Sequence, residues 1–281
     1  ATTTVAVGRK NKLEIKKEIH FPHSLGLLYS AFTYYSGFKV NSGEYKLMGL
    51  APYGNPIYKD KIKKLIDIKD DGTFRLDQSY FNYATGLTMT NEKFNYLFGN
   101  KPRDPKNEKI SQFHMDIASS IQKVTEEIMI NLAKSIRKEY DIKNLCLAGG
   151  VALNCVANGK ILQEKIFDNI WIQPAAGDAG GSLGAALAYW HLDLNKERIK
   201  NNEDLMEGSY LGPSYSNKEI KKILEEVGAN YDEFDEAKII DKTSEDLANG
   251  KAIGWFQGRM EFGPRALGGR SILGDARSDK M

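Results

Sequence analysis

Three arginines, Arg259, Arg265 and Arg270, fall within one stretch, GRMEFGPRALGGRSIL, beside four glycines, Pro264 and Glu261. A guanidinium is a planar fork that meets two oxygens of a phosphate or carboxylate at once. Glycine at this density serves no packed core, while Phe262, Pro264, Ala266, Leu267 and Ile272 are too apolar for a solvated surface loop. The stretch reads as an anion-binding loop.

Two other stretches point to the same kind of ligand. In AGGVALN (148–154) a strand end meets Gly149 and Gly150 just before helical spacing begins. Unpaired N–H groups at a helix start attract phosphate, and glycine lets it approach. Helical spacing from the glycine pair puts Asn154 about one turn into the helix, on a side open to a ligand; a tight strand-to-helix turn explains the glycines equally well. In AAGDAGGSLGAA (175–186) Asp178 precedes Gly180 and Gly181. A carboxylate beside a phosphate site suits a divalent cation, or it caps the helix. Two glycine-started helices in tandem favour a nucleotide site. EYKLMGLAPYG (44–54) is more ambiguous, since Glu44 and Lys46 suit ribose, a metal or an ordinary helix start.

Elements must hold these residues in place. Thr2 to His20 alternates around Gly8–Asn11 and predicts a hairpin. Ser24 opens a helix that Gly37 stops. Ile117, Ile121, Val124, Ile128, Leu132 and Ile136 predict a long amphipathic helix ending near Asp141. His114 and Asp116 precede it, Asp116 as a cap. NLCLAG and NIWIQPAA read as buried strands, each followed by a helix, which argues for an α/β layer structure. Beyond a polar linker (194–209) come a helix from about Asn217, a strand near Asn230, a helix from about Thr243 and the strand KAIGWFQG. FRLDQSYFNY is strand-like, but the order of 57–106 does not follow from pattern. Cys146 and Cys155 read as structural, and no histidine pair, His20 and His23 included, has a trustworthy metal spacing.

The 281 residues are 41% hydrophobic and 27% charged, which excludes disordered and fibrous classes. Thirty-nine basic against 37 acidic residues leave a charge of +2, so nucleic-acid binding driven by net charge is not suggested. No apolar run approaches a membrane span and no signal peptide is visible. The expectation is a soluble, cytoplasmic protein, and both termini read as cut from something longer.

With these motifs in this order, the sequence resembles the NodU/CmcH carbamoyltransferase family over roughly Ala1 to Ile272. The resemblance implies an α/β fold: part of an actin-like, ribonuclease-H-type ATPase domain at 1–207, then the N-terminal part of a YrdC-like domain at 208–281. It implies ATP as a substrate, carbamoyl phosphate as donor, a carbamoyl-adenylate intermediate and a hydroxyl acceptor. Gly149, Gly150, Val151, Asn154 and Gly180 would contact the nucleotide, with Glu44 and Gly54 on the adjoining wall. Asp178 would be one ligand of a divalent metal, iron or magnesium. Arg259, Arg265 and Arg270 would bind carbamoyl phosphate or nucleotide phosphates. The family's paired-histidine metal motif lies upstream of Ala1, and nothing in these residues replaces it. Competing readings are a sugar kinase of the actin-like superfamily, which has no use for the arginine loop, and a nucleotide-binding module without chemistry.

Overall fold

The alternation at the start of the chain forms an antiparallel hairpin, β1 (Thr3–Arg9) with β2 (Lys12–Ile19). The computed structural model describes residues 1–199 and 203–278. They divide into two compact units, Ala1–Ala176 with Ala186–Arg198, and Gly177–Ala185 with the residues from Ile199 onward.

In the first unit, Ser24 caps α1 (Leu25–Tyr35), its Oγ accepting the Leu27 N–H at 3.1 Å. Next come α2 (Glu44–Leu50) and a tight turn at Ala51–Tyr53. The region that pattern left unordered holds α3 (Lys59–Ile62), the hairpin of β3 (Ile66–Ile68) and β4 (Phe74–Leu76), and α4 (Glu92–Phe98). FRLDQSYFNY is strand only in its first three residues, because Asp77 accepts the Ser79 N–H and winds 78–80 into a tight turn. What orders this region is tertiary. Phe94 packs within 4.8–5.2 Å, ring to ring, of Phe98, Tyr35 and Phe32, and buried Arg103 donates to the carbonyls of Ser36 and Glu108.

The long amphipathic helix is α5 (Gln112–Tyr140), closed by Asp141 in the left-handed region. Its buried face, with Ile117, Ile121, Val124 and Ile128 fully enclosed, forms much of the core. Deleting such a side chain to alanine costs about 2–5 kcal/mol. Asp116 does not cap this helix. The cap pairs Ser111 with His114, whose Nδ1 accepts the Ser111 N–H at 3.1 Å. Beyond it, β5 (Asn144–Leu147), α6 (Cys155–Gln163) and β6 (Asn169–Ile172) make a strand-helix-strand unit with parallel strands. Cys146 and Cys155 are exposed free thiols and not core residues, because Cys146 lies on the outward side of β5 and Cys155 at the open first turn of α6. The next helix is α7 (Asp178–Ala188).

In the second unit, α8 (Asn217–Glu226) and α9 (Glu236–Ala248) precede the antiparallel pair β7 (Ile253–Phe256) and β8 (Arg270–Leu273). No strand forms near Asn230. The helix expected from Thr243 starts at Glu236 instead, because Asp235 caps it through the Lys238 N–H at 2.8 Å. Among the described residues, no helix is long and apolar enough to cross a membrane.

Burial, helped by Arg103 and opposed by Glu108, lowers the His114 pKa from its ordinary 6.5. The folded chain therefore resists a proton that the unfolded chain accepts. This contribution to stability is complete above about pH 6.5 and is lost as pH falls below it, by at most about 1.4 kcal/mol per pH unit for one proton. Melting temperature should drop between pH 7.5 and 5.5, and His114→Gln should flatten that part of the curve.

Candidate functional site

The two loops at the C-terminal ends of the parallel strands are joined to each other. Gly149 donates its N–H to the Ala176 carbonyl at 2.7 Å, and Gln173 donates to Leu147 at 3.1 Å. Ligands of parallel sheets bind at this end of the strands. A Cβ built on Gly149 or Gly150 meets nothing within 4 Å, so the space above the pair is open. The glycine pair does not start an α-helix, however. Residues Gly150–Leu153 form a tight turn, and the helix begins afterwards at Cys155. Val151 turns inward onto the core.

The cap of that helix is Asn154, which is 8% exposed and not one turn inside it on an open face. Its Oδ1 accepts the Ala157 N–H at 3.0 Å and its amide exchanges two hydrogen bonds with Gln122 of α5, at 2.9 and 3.1 Å. Gln122 also accepts from the Tyr29 hydroxyl at 3.0 Å and donates to Glu126 at 3.2 Å. A side chain this committed positions the glycine loop. Gln122 carries no motif of its own; its signal in the sequence is a polar residue beside Ile121 in an otherwise apolar stripe.

Glu44 is half-buried and holds the start of α2. Its carboxylate accepts from Ser30 at 2.8 Å, Asn41 N–H at 2.9 Å and Gly43 N–H at 3.2 Å. Gly54 lies against the first turns of α5, where an added Cβ would stand 2.0 Å from the Met115 carbonyl oxygen. Beside it, buried Asp116 accepts the Asn55 N–H at 2.8 Å and the Gln112 amide at 2.8 Å. Ser120, one turn on, accepts the Tyr58 N–H at 3.0 Å. Glu44, Gly54 and Asn154 are thus each tied to α1 or α5.

The other residues lie in the second unit. Asp178 is exposed at the first turn of α7, and Gly180 follows with its N–H on the Gly177 carbonyl. Among the described residues, no three His, Cys, Asp or Glu are grouped so as to hold a metal ion. Asp178 alone makes no such site.

The arginine loop between β7 and β8 folds onto residues 209–213, which begin at the last residue of the polar stretch read as a linker (194–209) and run past it. Buried Ser209 exchanges hydrogen bonds with Phe262, Gly212 donates to the Met260 carbonyl, Met260 donates to Pro213, and the Tyr210 hydroxyl donates to Leu267 at 2.6 Å. Inside the loop lies Glu261, 3% exposed. Burial alone would raise its pKa, but the N–H groups of Leu267, Glu261 itself, Gly269 and Arg270 together outweigh burial and hold it at about 2. Arg270 stands 3.5 Å from this carboxylate and donates to the Gly263 carbonyl at 2.5 Å. Arg259 is exposed and Arg265 half-buried.

These elements define a mixed α/β protein. The protein-family model for the carbamoyltransferase N-terminus matches residues 1–187, and that for the carbamoyltransferase C-terminus matches residues 244–281. The chain belongs to the carbamoyltransferase family. It is 60% identical to an uncharacterized protein of Synechocystis sp., over 100% of this chain and 46% of that protein. It is 37% identical to Nodulation protein NolO of Bradyrhizobium diazoefficiens, over 94% of this chain and 46% of the relative. It is 36% identical to Nodulation protein NolNO of Sinorhizobium fredii, over 99% of this chain and 38% of the relative. The chain thus spans less than half the length of these relatives.

Two substitutions test the scaffold. Gly54→Ala should destabilise the chain by about 3 kcal/mol, since backbone and not a flexible side chain must yield. Asn154→Ala removes a cap, worth about 0.5–2 kcal/mol, and strands the buried Gln122 amide, worth about 1–3 kcal/mol more. In denaturant melts Asn154→Ala and Gln122→Ala should each destabilise, and the double variant should lose less than their sum.

Proposed function

We propose that this chain is part of an ATP-dependent O-carbamoyltransferase. The observation that carries the reading is the arginine loop 258–273, folded around Glu261 with three guanidinium groups and backed by 209–213. Arg259, Arg265 and Arg270 bind the phosphate of carbamoyl phosphate. There carbamoyl phosphate, water and ATP yield carbamoyl-adenylate, phosphate and pyrophosphate. The carbamoyl group then passes to a hydroxyl of a sugar or natural-product acceptor, and AMP leaves.

On this reading the N–H groups and open space at Gly149 and Gly150 receive the nucleotide part of the adenylate. Asn154 sets that loop from below, through its cap and its pairing with Gln122. Glu44 and Gly54 shape the neighbouring wall by fixing α2 and the turn after it. Gly180 keeps the first turn of α7 bare, and Asp178 offers a single carboxylate donor. One carboxylate does not make a metal site, so no step is assigned to a metal.

The test follows pyrophosphate and ADP from ATP, with and without carbamoyl phosphate, in the protein at its natural length. Pyrophosphate release that requires carbamoyl phosphate, and falls at least tenfold in Arg259→Ala, is the expected result. ADP release independent of carbamoyl phosphate would replace this reading with a kinase. ATP binding without turnover would replace it with a nucleotide-binding module.

A further inference from the structure

Three backbone N–H groups converging on one point are what a glycine-rich loop ordinarily offers to a bound anion. In the arginine loop they converge on the protein's own carboxylate. Glu261 Oε1 accepts from Leu267 N–H at 2.6 Å, Gly269 N–H at 2.8 Å and Arg270 N–H at 3.3 Å. Its Oε2 is buried without a hydrogen-bond partner and faces Arg270 Nε at 3.5 Å. The enclosure depends on Gly269, where a Cβ would stand 2.6 Å from the Arg259 carbonyl oxygen and 3.1 Å from Glu261 Oε2. The loop's inward donors are therefore filled from within, and Arg270 is partly neutralised.

We propose that Glu261 is the positioning residue of the arginine loop: it occupies the backbone nest as an internal anion and fixes Arg270 beside the external phosphate, which exposed Arg259 meets first. The phosphate-binding half of this statement rests on the reading of the loop as the carbamoyl phosphate site; the positioning half does not. A carboxylate held at about pKa 2 is ionised at neutral pH, so the nest keeps its internal anion.

The chain itself supplies the test, as wild type, Glu261→Gln, Arg259→Ala and the double variant. Glutamine keeps the shape but turns donors toward Arg270 Nε where the carboxylate offered an acceptor. Amide exchange at Leu267 and Gly269 should speed up at least tenfold in Glu261→Gln, with α8 and α9 unchanged. In wild type, needing no variant, the Arg270 Nε–H resonance should hold steady from pH 7 to pH 4. Calorimetric titration with carbamoyl phosphate should show a dissociation constant at least tenfold weaker in Glu261→Gln and in Arg259→Ala. The double variant should lose less than the sum of the two, because Gly269, which Glu261 holds, lies against the Arg259 backbone. Unchanged exchange in Glu261→Gln, or an Arg270 signal titrating near pH 4.5, overturns the positioning role. Independent, additive losses in the double variant overturn the coupling to Arg259. If exchange depends on Glu261 while wild type ignores carbamoyl phosphate, the positioning role stands and the carbamoyl phosphate reading falls.

Discussion

A helix of 29 residues buried along most of one side has to satisfy every polar group it carries inward, because an unpaired buried donor or acceptor costs about 1–3 kcal/mol. In α5 this constraint arranges the first unit. Asp116, Ser120 and Gln122 are buried among Ile117, Ile121 and Val124, and each is satisfied by a loop. Asp116 takes the N–H of Asn55, Ser120 that of Tyr58, and Gln122 the amide of Asn154. The apolar side chains of α5 make the core, and its polar ones decide which loops stand over it.

Long irregular loops keep a fixed backbone when buried polar groups hold them, and the two units achieve this in related ways. The glycine turn after β5 is held from below by a capping asparagine locked to a core glutamine. The arginine loop is held from inside by a buried carboxylate. In both, a buried polar side chain does the fixing, and it leaves open space above Gly149 and Gly150 in one loop and an exposed Arg259 in the other. Low dielectric strengthens such networks when they are complete, so a few hydrogen bonds can hold a long irregular segment.

The glycines of the three motifs differ in the reason for being glycine. At Gly54 and Gly269 a side chain has no room, because backbone carbonyls already occupy the position. At Gly149 and Gly150 there is room and nothing fills it. Close packing explains the first pair completely. In the second pair Gly149 has φ +97°, a left-handed conformation that glycine adopts without strain, so backbone geometry explains it, while Gly150 is under neither constraint; the carbamoyltransferase family matches cover both the turn after β5 and the arginine loop.

Local signals in the sequence determined a good deal. The hairpin, the Ser24 cap, the long helix and the strand-helix-strand order follow from alternation, helical spacing and cap chemistry, which act over a few residues. The motif stretches were legible because glycine, arginine and acid rarely cluster without cause. Tertiary structure decided what each residue does. Helical spacing alone puts Asn154 inside a helix opened by the glycine pair; in the fold the tight turn at Gly150–Leu153 comes first, the helix starts at Cys155, and Asn154 is its cap. The cap expected of Asp116 is formed instead by Ser111 and His114. The order of 57–106 depended on Phe94 meeting Tyr35 and Phe32, contacts between distant residues that no local period records. Glu261 was visible between the arginines, yet only the fold, by bringing the N–H groups of Leu267, Gly269 and Arg270 to one oxygen, made it the centre of their loop.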